Sequence, residues 1–439
     1  MSSEPQNPFR AGSLGSQHLK ICIVTSHGLG EPRGVRHAFA CRRALPDADI
    51  EFIHYAADFS SERPDILQEM ARENISVRAL RFPTRPGSPI RWLVRKIVAR
   101  AARIIYRFTG RLVESVFSER TIGLGRQLSD SPAHIYFAHN FEALMPAATA
   151  AERNSGILIF DCMEFYSDMG DGQRREVSRA IGDVEARYLP RCSLVTAASQ
   201  ELASAYAETY DIPTPLVVYN TAPTCKLLPP RRGGGLNLYW RNSVLGFGQR
   251  GLEDALEAMA GLPHDVHLYL QGHAGADDGG ALCARIAALR IGDKVTILRP
   301  HPPGEAVPSA ALYDVGLCLE RRFPRNHQLT VSNKMFDYHM AGLAVIASDV
   351  PGLRTIIRRS SAGVLFEPGD VGSLCKAVLR LRNDPAQLAE MQNNARRHAL
   401  SIANMEIDLD RVAQAVASLA NSHFAPERAP VGQSRAQSA

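Results

Sequence analysis

Thirteen short runs rich in β-branched and aromatic residues punctuate the chain, most of them separated by stretches of helical periodicity. Seven lie in the first half: ICIVTS (21–26), IEFIHYA (50–56), SVRALRF (76–82), HIYFAH (134–139), GILIFDC (156–162), SLVTAAS (193–199) and PLVVYN (215–220). Runs of this length with little polar alternation suit strands buried on both faces, as in parallel sheets. Stretches such as SQELASAYAETY supply amphipathic helices between them, giving a β-α-β pattern. PTCKLLPPRRGGG (223–235) then breaks the pattern with Pro, Gly and charge, as a linker does. Six more runs follow at 236–240, 266–272, 294–300, 314–320, 344–348 and 363–368. The expected fold class is α/β, with two doubly wound domains (18–222 and 236–400) facing each other across a cleft. Ligands of such sheets bind at the carboxyl ends of the strands. Residues 374–400 read as the last helical stretch of the second domain. Residues 401–421 read as a C-terminal helix that could pack back on the first domain, and 1–17 and 422–439 as disordered tails.

Composition narrows the class. Of 439 residues, 45% are apolar and 22% charged, which excludes wholesale disorder. No apolar run approaches the roughly 18 residues that span a bilayer. The N-terminus has no apolar h-region, so it reads as lacking a secretory signal, and a cytoplasmic location is expected. Eight cysteines are scattered without a Cys-x-x-Cys pair, which suits small buried hydrophobes in a reducing compartment rather than a zinc or disulfide framework.

The net charge of +5 is local. Arg91 to Arg111 holds seven basic residues and no acid, leaving −2 over the rest of the chain. In IRWLVRKIVARAARIIYRFTGRLV (90–113), basic residues at 91, 95, 100, 103, 107 and 111 step along one helical face. Leu93, Ile97, Ile104, Ile105, Phe108 and Leu112 are among those on the opposite one. With Trp92, Tyr106 and Phe108 nearby, this reads as an interfacial helix on anionic lipid, peripheral on the inner face of the membrane. An ordinary domain helix with a solvated basic face is the alternative. Nucleic-acid binding is disfavoured, because stacking platforms and a generally basic surface are missing.

No P-loop, no His-Glu-x-x-His helix and no Gly-x-Ser-x-Gly elbow occurs. After the first strand, Gly28, Gly30 and Gly34 almost form a dinucleotide fingerprint, with Arg33 in the third glycine's place. This loop is either a plain tight turn or a close backbone approach to a donor nucleotide, opening a helix with free N–H groups. The segment QLTVSNKMFDYHMAGLAVIASDVPGLRTII (328–357) says more. It predicts a helix from Asn333 to Ala341, stopped by Gly342, with Ser332 as N-cap and first-turn amides directed into the cleft. Lys334 and Asp337 share one face. Amides and lysine would meet phosphate, and Asp337 would accept hydrogen bonds from ribose hydroxyls, as a nucleoside diphosphate requires.

At these residues the chain resembles a known family. NKMFDYHMAGLAVIASDVPGLR is similar to the signature of retaining GT-B glycosyltransferases of family 4. IYFAHNFEALMPA, LIFDCMEFYSD, EARYLPRCSLVTAASQELASAY and QRGLEDALEAMAGLP resemble further motifs of that family in the same order, covering most of residues 20–400. The resemblance implies two Rossmann-like domains and metal-independent transfer, with retention, of a sugar from a nucleoside diphosphate sugar to a hydroxyl acceptor. No cofactor is implied. It makes Asp337 the ribose-binding carboxylate, Arg250 and Arg241 contacts to the donor diphosphate beside Ser332, Asn333 and Lys334, and His139 the residue that orients the donor sugar. Asn140, Asp161 and Glu164 fall on the acceptor side. The chain departs from the pattern at Leu329, where the family has a second carboxylate, at Asn140 (usually Asp) and at Met163 (usually His). Glu320, Arg325 and Asn326 are candidate substitutes for the missing carboxylate. A lipid-linked or envelope polysaccharide acceptor is expected from the basic helix. A nucleotide-sugar epimerase of the same fold and a non-catalytic nucleotide-sugar-binding relative at the membrane are the alternatives.

Overall fold

A computed structural model describes residues 18–56, 63–81, 89–169, 175–248, 250–302 and 304–424. The tails 1–17 and 425–439 lie outside the described residues, as do the side chains of Arg91, Trp92 and Arg95. The first sheet contains β1 (Lys20–Thr25), β2 (Asp49–Ala56), β3 (Ile75–Arg81), β4 (Ile135–His139), β5 (Ile157–Cys162), β6 (Leu194–Ala197) and β7 (Leu216–Val217), in the order β3-β2-β1-β4-β5-β6-β7. The second contains β8 (Leu236–Val244), β9 (Val266–His273), β10 (Val295–Leu298), β11 (Val315–Cys318), β12 (Ala344–Ser348) and β13 (Gly363–Phe366), in the order β10-β9-β8-β11-β12-β13. Every pairing is parallel. The unbroken apolar runs have this cause: helices cover both faces, so β4, β5, β11 and β12 are buried at every position. Strand order reverses at β1/β4 and at β8/β11, the points at which ligands of such sheets bind.

Three expected boundaries shift. The stretch 374–400 belongs to two helices, Val371–Asn383 and Pro385–Ser401. Pro385 cannot continue the first, and the Asp384 side chain caps the second through the Gln387 N–H at 2.9 Å. The final helix, Met405–Phe424, extends past the expected start of the tail at 422. It packs through Leu409, Val412, Ala413, Val416 and Ala420 into the first domain's core, against the helix Pro32–Ala44. The basic helix runs Pro89–Thr109 rather than to 113, because Gly110 takes a left-handed φ of +67° and its N–H closes on the Tyr106 carbonyl at 2.8 Å. Tyr106 also faces inward rather than toward a membrane. It is buried with Ala102 against Val116 and Ala180, and its hydroxyl donates to Asp183 at 2.5 Å. The helix is thus held by a narrow seam, and its large aliphatic side chains remain exposed.

Candidate active site

Four elements of the second domain converge at the β8/β11 reversal. β8 delivers Trp240 and Arg241. The loop after it delivers Arg250 ahead of the helix Leu252–Gly261. Gly251, between them, sits at φ +64°, where a Cβ would meet that of Leu319 at 3.0 Å. The chain leaving β11 delivers Glu320, and the helix Asn333–Met340 delivers Lys334 and Asp337. That helix ends as expected, with Gly342 at φ +74°. Its start differs in one respect: Ser332 occupies the cap position but its hydroxyl makes no capping bond. An anion at this end would meet the positive pole of the macrodipole and the first-turn amides.

Among the described residues, charges within the cluster are balanced in pairs, with one exception. Arg250 Nη1 donates to Glu320 Oε1 at 2.6 Å, while the Glu320 N–H is held by Ser348 Oγ at 2.8 Å. Arg241 is ion-paired with Asp337, and its Nη1 lies 3.3 Å from His301 Nε2. Lys334 is buried, and its Nζ has no hydrogen-bond partner among the described residues; it lies 5.4 Å from the centre of the Trp240 ring. Burial pulls its pKa below the ordinary lysine value, and Glu320 opposes the shift. An uncompensated ammonium in a closed site is costly, and it points to an anionic ligand.

The first domain meets this cluster through Asn326. Its side chain accepts the Phe165 N–H at 2.7 Å and donates to Glu164 Oε2 at 2.5 Å. Arg325 lies 4.7 Å over the Phe165 ring, and Ser199 Oγ donates to the Leu329 carbonyl at 2.5 Å. Burial raises the pKa of Glu164, partly offset by the Asn326 hydrogen bond. Asn326 and Arg325 therefore join the domains. Of the candidate substitutes for the missing carboxylate, only Glu320 stands among the donor-side cations. Leu329 turns the other way and packs against the first domain's core.

Several other expectations change. His139 and Asp161 are fully enclosed, not open to donor sugar or acceptor. His139 Nδ1 lies 3.2 Å from Asp161 Oδ2, and its ring stacks on Phe137 at 4.8 Å. Asp161 is gripped by Arg33 through Nε–Oδ2 at 2.6 Å and Nη2–Oδ1 at 2.7 Å, and it accepts from Thr196 at 2.5 Å. Burial alone would raise the Asp161 carboxyl; Arg33, His37 and His139 together hold it well below the usual carboxylate range. His37, His139 and Asp161 bring ligand atoms within 4.8 Å of one another, but Arg33 already engages both Asp161 oxygens, so this set is a poor fit to a cation. Asn140 is also buried. At φ +62° it accepts from Ser26 Oγ at 2.8 Å and donates to Thr25 at 3.2 Å, joining the ends of β1 and β4. The Gly28–Gly30 loop does not open a helix with free amides: the Glu31 carboxylate accepts from the N–H groups of Arg33 and Gly34. The Glu31 N–H closes on the Gly28 carbonyl at 3.1 Å in a tight turn, and a Cβ at Gly28 would lie 3.2 Å from the Tyr55 carbonyl, whereas Gly30 has open space where a Cβ would go.

Sequence reading missed Arg33 and Glu31 as functional parts of this end of the sheet. Arg33 stood out only as a misfit among glycines, and its partner lies 128 residues away.

Two parallel-sheet domains with facing reversal points, joined by one crossover segment and a returning C-terminal helix, define the GT-B class. The structure of Anabaena HepE in complex with UDP is similar, with a TM-score of 0.63 and 15% identity, covering 92% of this chain and all of that one. So is the apo lipopolysaccharide outer core galactosyltransferase WaaB, with a TM-score of 0.60 and 15% identity over 91% of this chain and all of that one. At such identities the likeness is one of fold. Residues 244–384, within the second domain, match the family model described as Glycosyl transferases group 1. A segment of 126 residues is 32% identical to the D-inositol 3-phosphate glycosyltransferase of Gordonia bronchialis; it spans 29% of this chain and about a quarter, 26%, of that protein.

Proposed function

We propose that the protein is a retaining, metal-independent glycosyltransferase that moves a sugar from a nucleoside diphosphate sugar to a hydroxyl of a lipid-linked or saccharide acceptor. The observation that carries this reading is Lys334: a buried, unpartnered ammonium beside the uncapped start of the helix Asn333–Met340, with Arg250 alongside. A diphosphate there accepts from the amides near Ser332 and Asn333, from Lys334, and from Arg250 once Glu320 releases it. Asp337, exchanging Arg241 for ribose hydroxyls, holds the nucleoside. As the bond from the anomeric carbon to the phosphate oxygen breaks, negative charge grows where these donors already point. The new bond forms from the acceptor oxygen to the same carbon and face, and the acceptor's proton passes to the departing phosphate. Arg33, His139 and Asn140 act as positioning residues for the β1 and β4 ends, while Glu164 faces the acceptor. The match to the group 1 glycosyltransferase model and the UDP-bound neighbour support the donor class.

For the acceptor, support comes from the basic helix. Among the described residues no helix is long and apolar enough to cross a membrane, and this one presents exposed aliphatic and cationic side chains together. Envelope polysaccharide or glycolipid synthesis at the inner face of the membrane fits that surface. The test is a panel of UDP-, GDP- and other nucleoside diphosphate sugars with acceptor-rich membranes, read as nucleotide released. Turnover with one donor, lost in Arg250→Ala protein of intact fold, is the expected result. Nucleotide binding without turnover under every condition would instead identify a non-catalytic donor sensor.

A further inference from the structure

A cavity of about 910 Å³ lies away from the donor site, between the basic helix and the segment 115–126. Four arginines line it, Arg100, Arg103 and Arg107 from the basic helix and Arg126 from the helix Glu119–Ser129, opposite the acids Glu119 and Glu176. Among the described residues none of these four arginines forms an ion pair. Lys96, Ser115 and Ser118 add polar groups, and Val98, Ile104 and Ile122 supply an aliphatic part of the wall. Outside the rim the same helix exposes Ile97, Ile105 and Phe108, the last at 81% of its surface. A run of large apolar side chains this open exceeds the scattered exposure ordinary on a monomer.

The groove wall is bonded to the ends of β1 and β4. Ser118, on its wall, caps the helix Glu119–Ser129 and donates to Glu142 at 2.6 Å, in the first turn of the helix that follows β4. Arg120 Nη1 donates to the Ser26 carbonyl at the end of β1 at 3.3 Å. The groove thus combines a cationic lining, a wall tied to the β1 and β4 ends, and an exposed aliphatic face outside its rim.

From the paired charge and apolar wall we infer that this groove binds one molecule of a long-chain lipid phosphate or diphosphate, the anchor that carries the acceptor hydroxyl. Guanidinium groups match phosphate oxygens bidentately and are more weakly hydrated than ammonium, which suits a site half walled by hydrocarbon. A flat anionic bilayer would need the cations on one outward plane. Here several converge on a concave surface instead. The inference rests on the acceptor side of the proposed function and is independent of the donor site.

The test uses the full chain and farnesyl phosphate below its aggregation concentration, with farnesol, inorganic phosphate and UDP titrated in parallel by calorimetry or native mass spectrometry. Farnesyl phosphate is expected to bind with one-to-one stoichiometry, at least tenfold tighter than either farnesol or phosphate. Arg103→Gln/Arg107→Gln protein should lose at least tenfold of that affinity, and so should Ile104→Asp, a change at a half-exposed position that the fold tolerates. UDP affinity should not move in either variant. Equal binding of inorganic phosphate or of farnesol would overturn the inference, leaving a plain anion site or a plain apolar patch. So would capture by phosphatidylglycerol vesicles without binding of the single lipid, which would make the helix a surface anchor only. Loss of UDP binding by the unaltered protein would count against the donor site and not against the groove.

Discussion

Lys334→Met separates stability from function at the site on which the proposed activity depends. In the free protein the ammonium is buried with no hydrogen-bond partner among the described residues, and the acid that acts on it, Glu320, is committed to Arg250. Methionine fills a similar volume without a charge to desolvate, beside Trp240, which already packs with the lysine. Replacing a poorly compensated buried charge in this way stabilises by about 1–3 kcal/mol. The same substitution removes charge-assisted bonds to the donor phosphates, about 1.5–3 kcal/mol, or about ten- to a hundredfold in nucleotide affinity. A saturating nucleotide reports both effects in one experiment. At a concentration of about 100 Kd the parent protein gains about 2.7 kcal/mol, whereas a variant binding a hundredfold more weakly gains only about 0.4 kcal/mol. In thermal melts without nucleotide the variant should therefore unfold at the higher temperature, and with UDP or GDP present its advantage should vanish. A variant that melts lower without ligand and retains the full nucleotide-induced shift would refute the assignment of Lys334 to the diphosphate.

Two further outcomes follow from other parts of the structure. Glu185 is fully buried between Tyr206 and Tyr210, each donating at 2.5 Å, and burial raises its carboxyl to about 7 despite those bonds. A raised carboxyl means the folded state holds a proton that the unfolded chain has released. Its contribution to stability is complete below the unfolded value near 4.5 and is lost as pH rises through about 7. The shift corresponds to about 3 kcal/mol; Glu185→Gln should flatten urea-denaturation stability between pH 5 and pH 8, and an unchanged pH slope would show that Glu185 is already ionised in the fold. Leu329→Glu restores a carboxylate where the resembled family has one, but Leu329 packs on the first domain's core and its carbonyl holds Ser199. The expected result is a loss of about 1–3 kcal/mol with no gain in turnover; faster sugar transfer at intact stability would show that the carboxylate can reach the reaction centre.

The thirteen strands of the described residues, their parallel arrangement and the two-domain division were legible in the sequence. So was the helix from Asn333 to its Gly342 stop, with Lys334 and Asp337 on one turn. These are local properties: apolar periodicity over five or six residues and a glycine able to adopt positive φ are set by neighbours in the chain. The basic helix was legible for the same reason, and its end at Gly110 carried a local signal that a purely periodic reading overran. What only the tertiary structure decided are the partners. Arg33 with Asp161, Arg250 with Glu320, Arg241 with Asp337 and Glu164 with Asn326 are separated by 70 to 162 residues, and nothing in the spacing of either member names the other. Burial is settled at the same level. His139 and Asp161 sit at strand ends that pattern alone would leave open, yet an arginine folded in from the first helix closes over them. A side chain's chemistry depends on which charges and how much water surround it, and those are fixed only when distant segments pack.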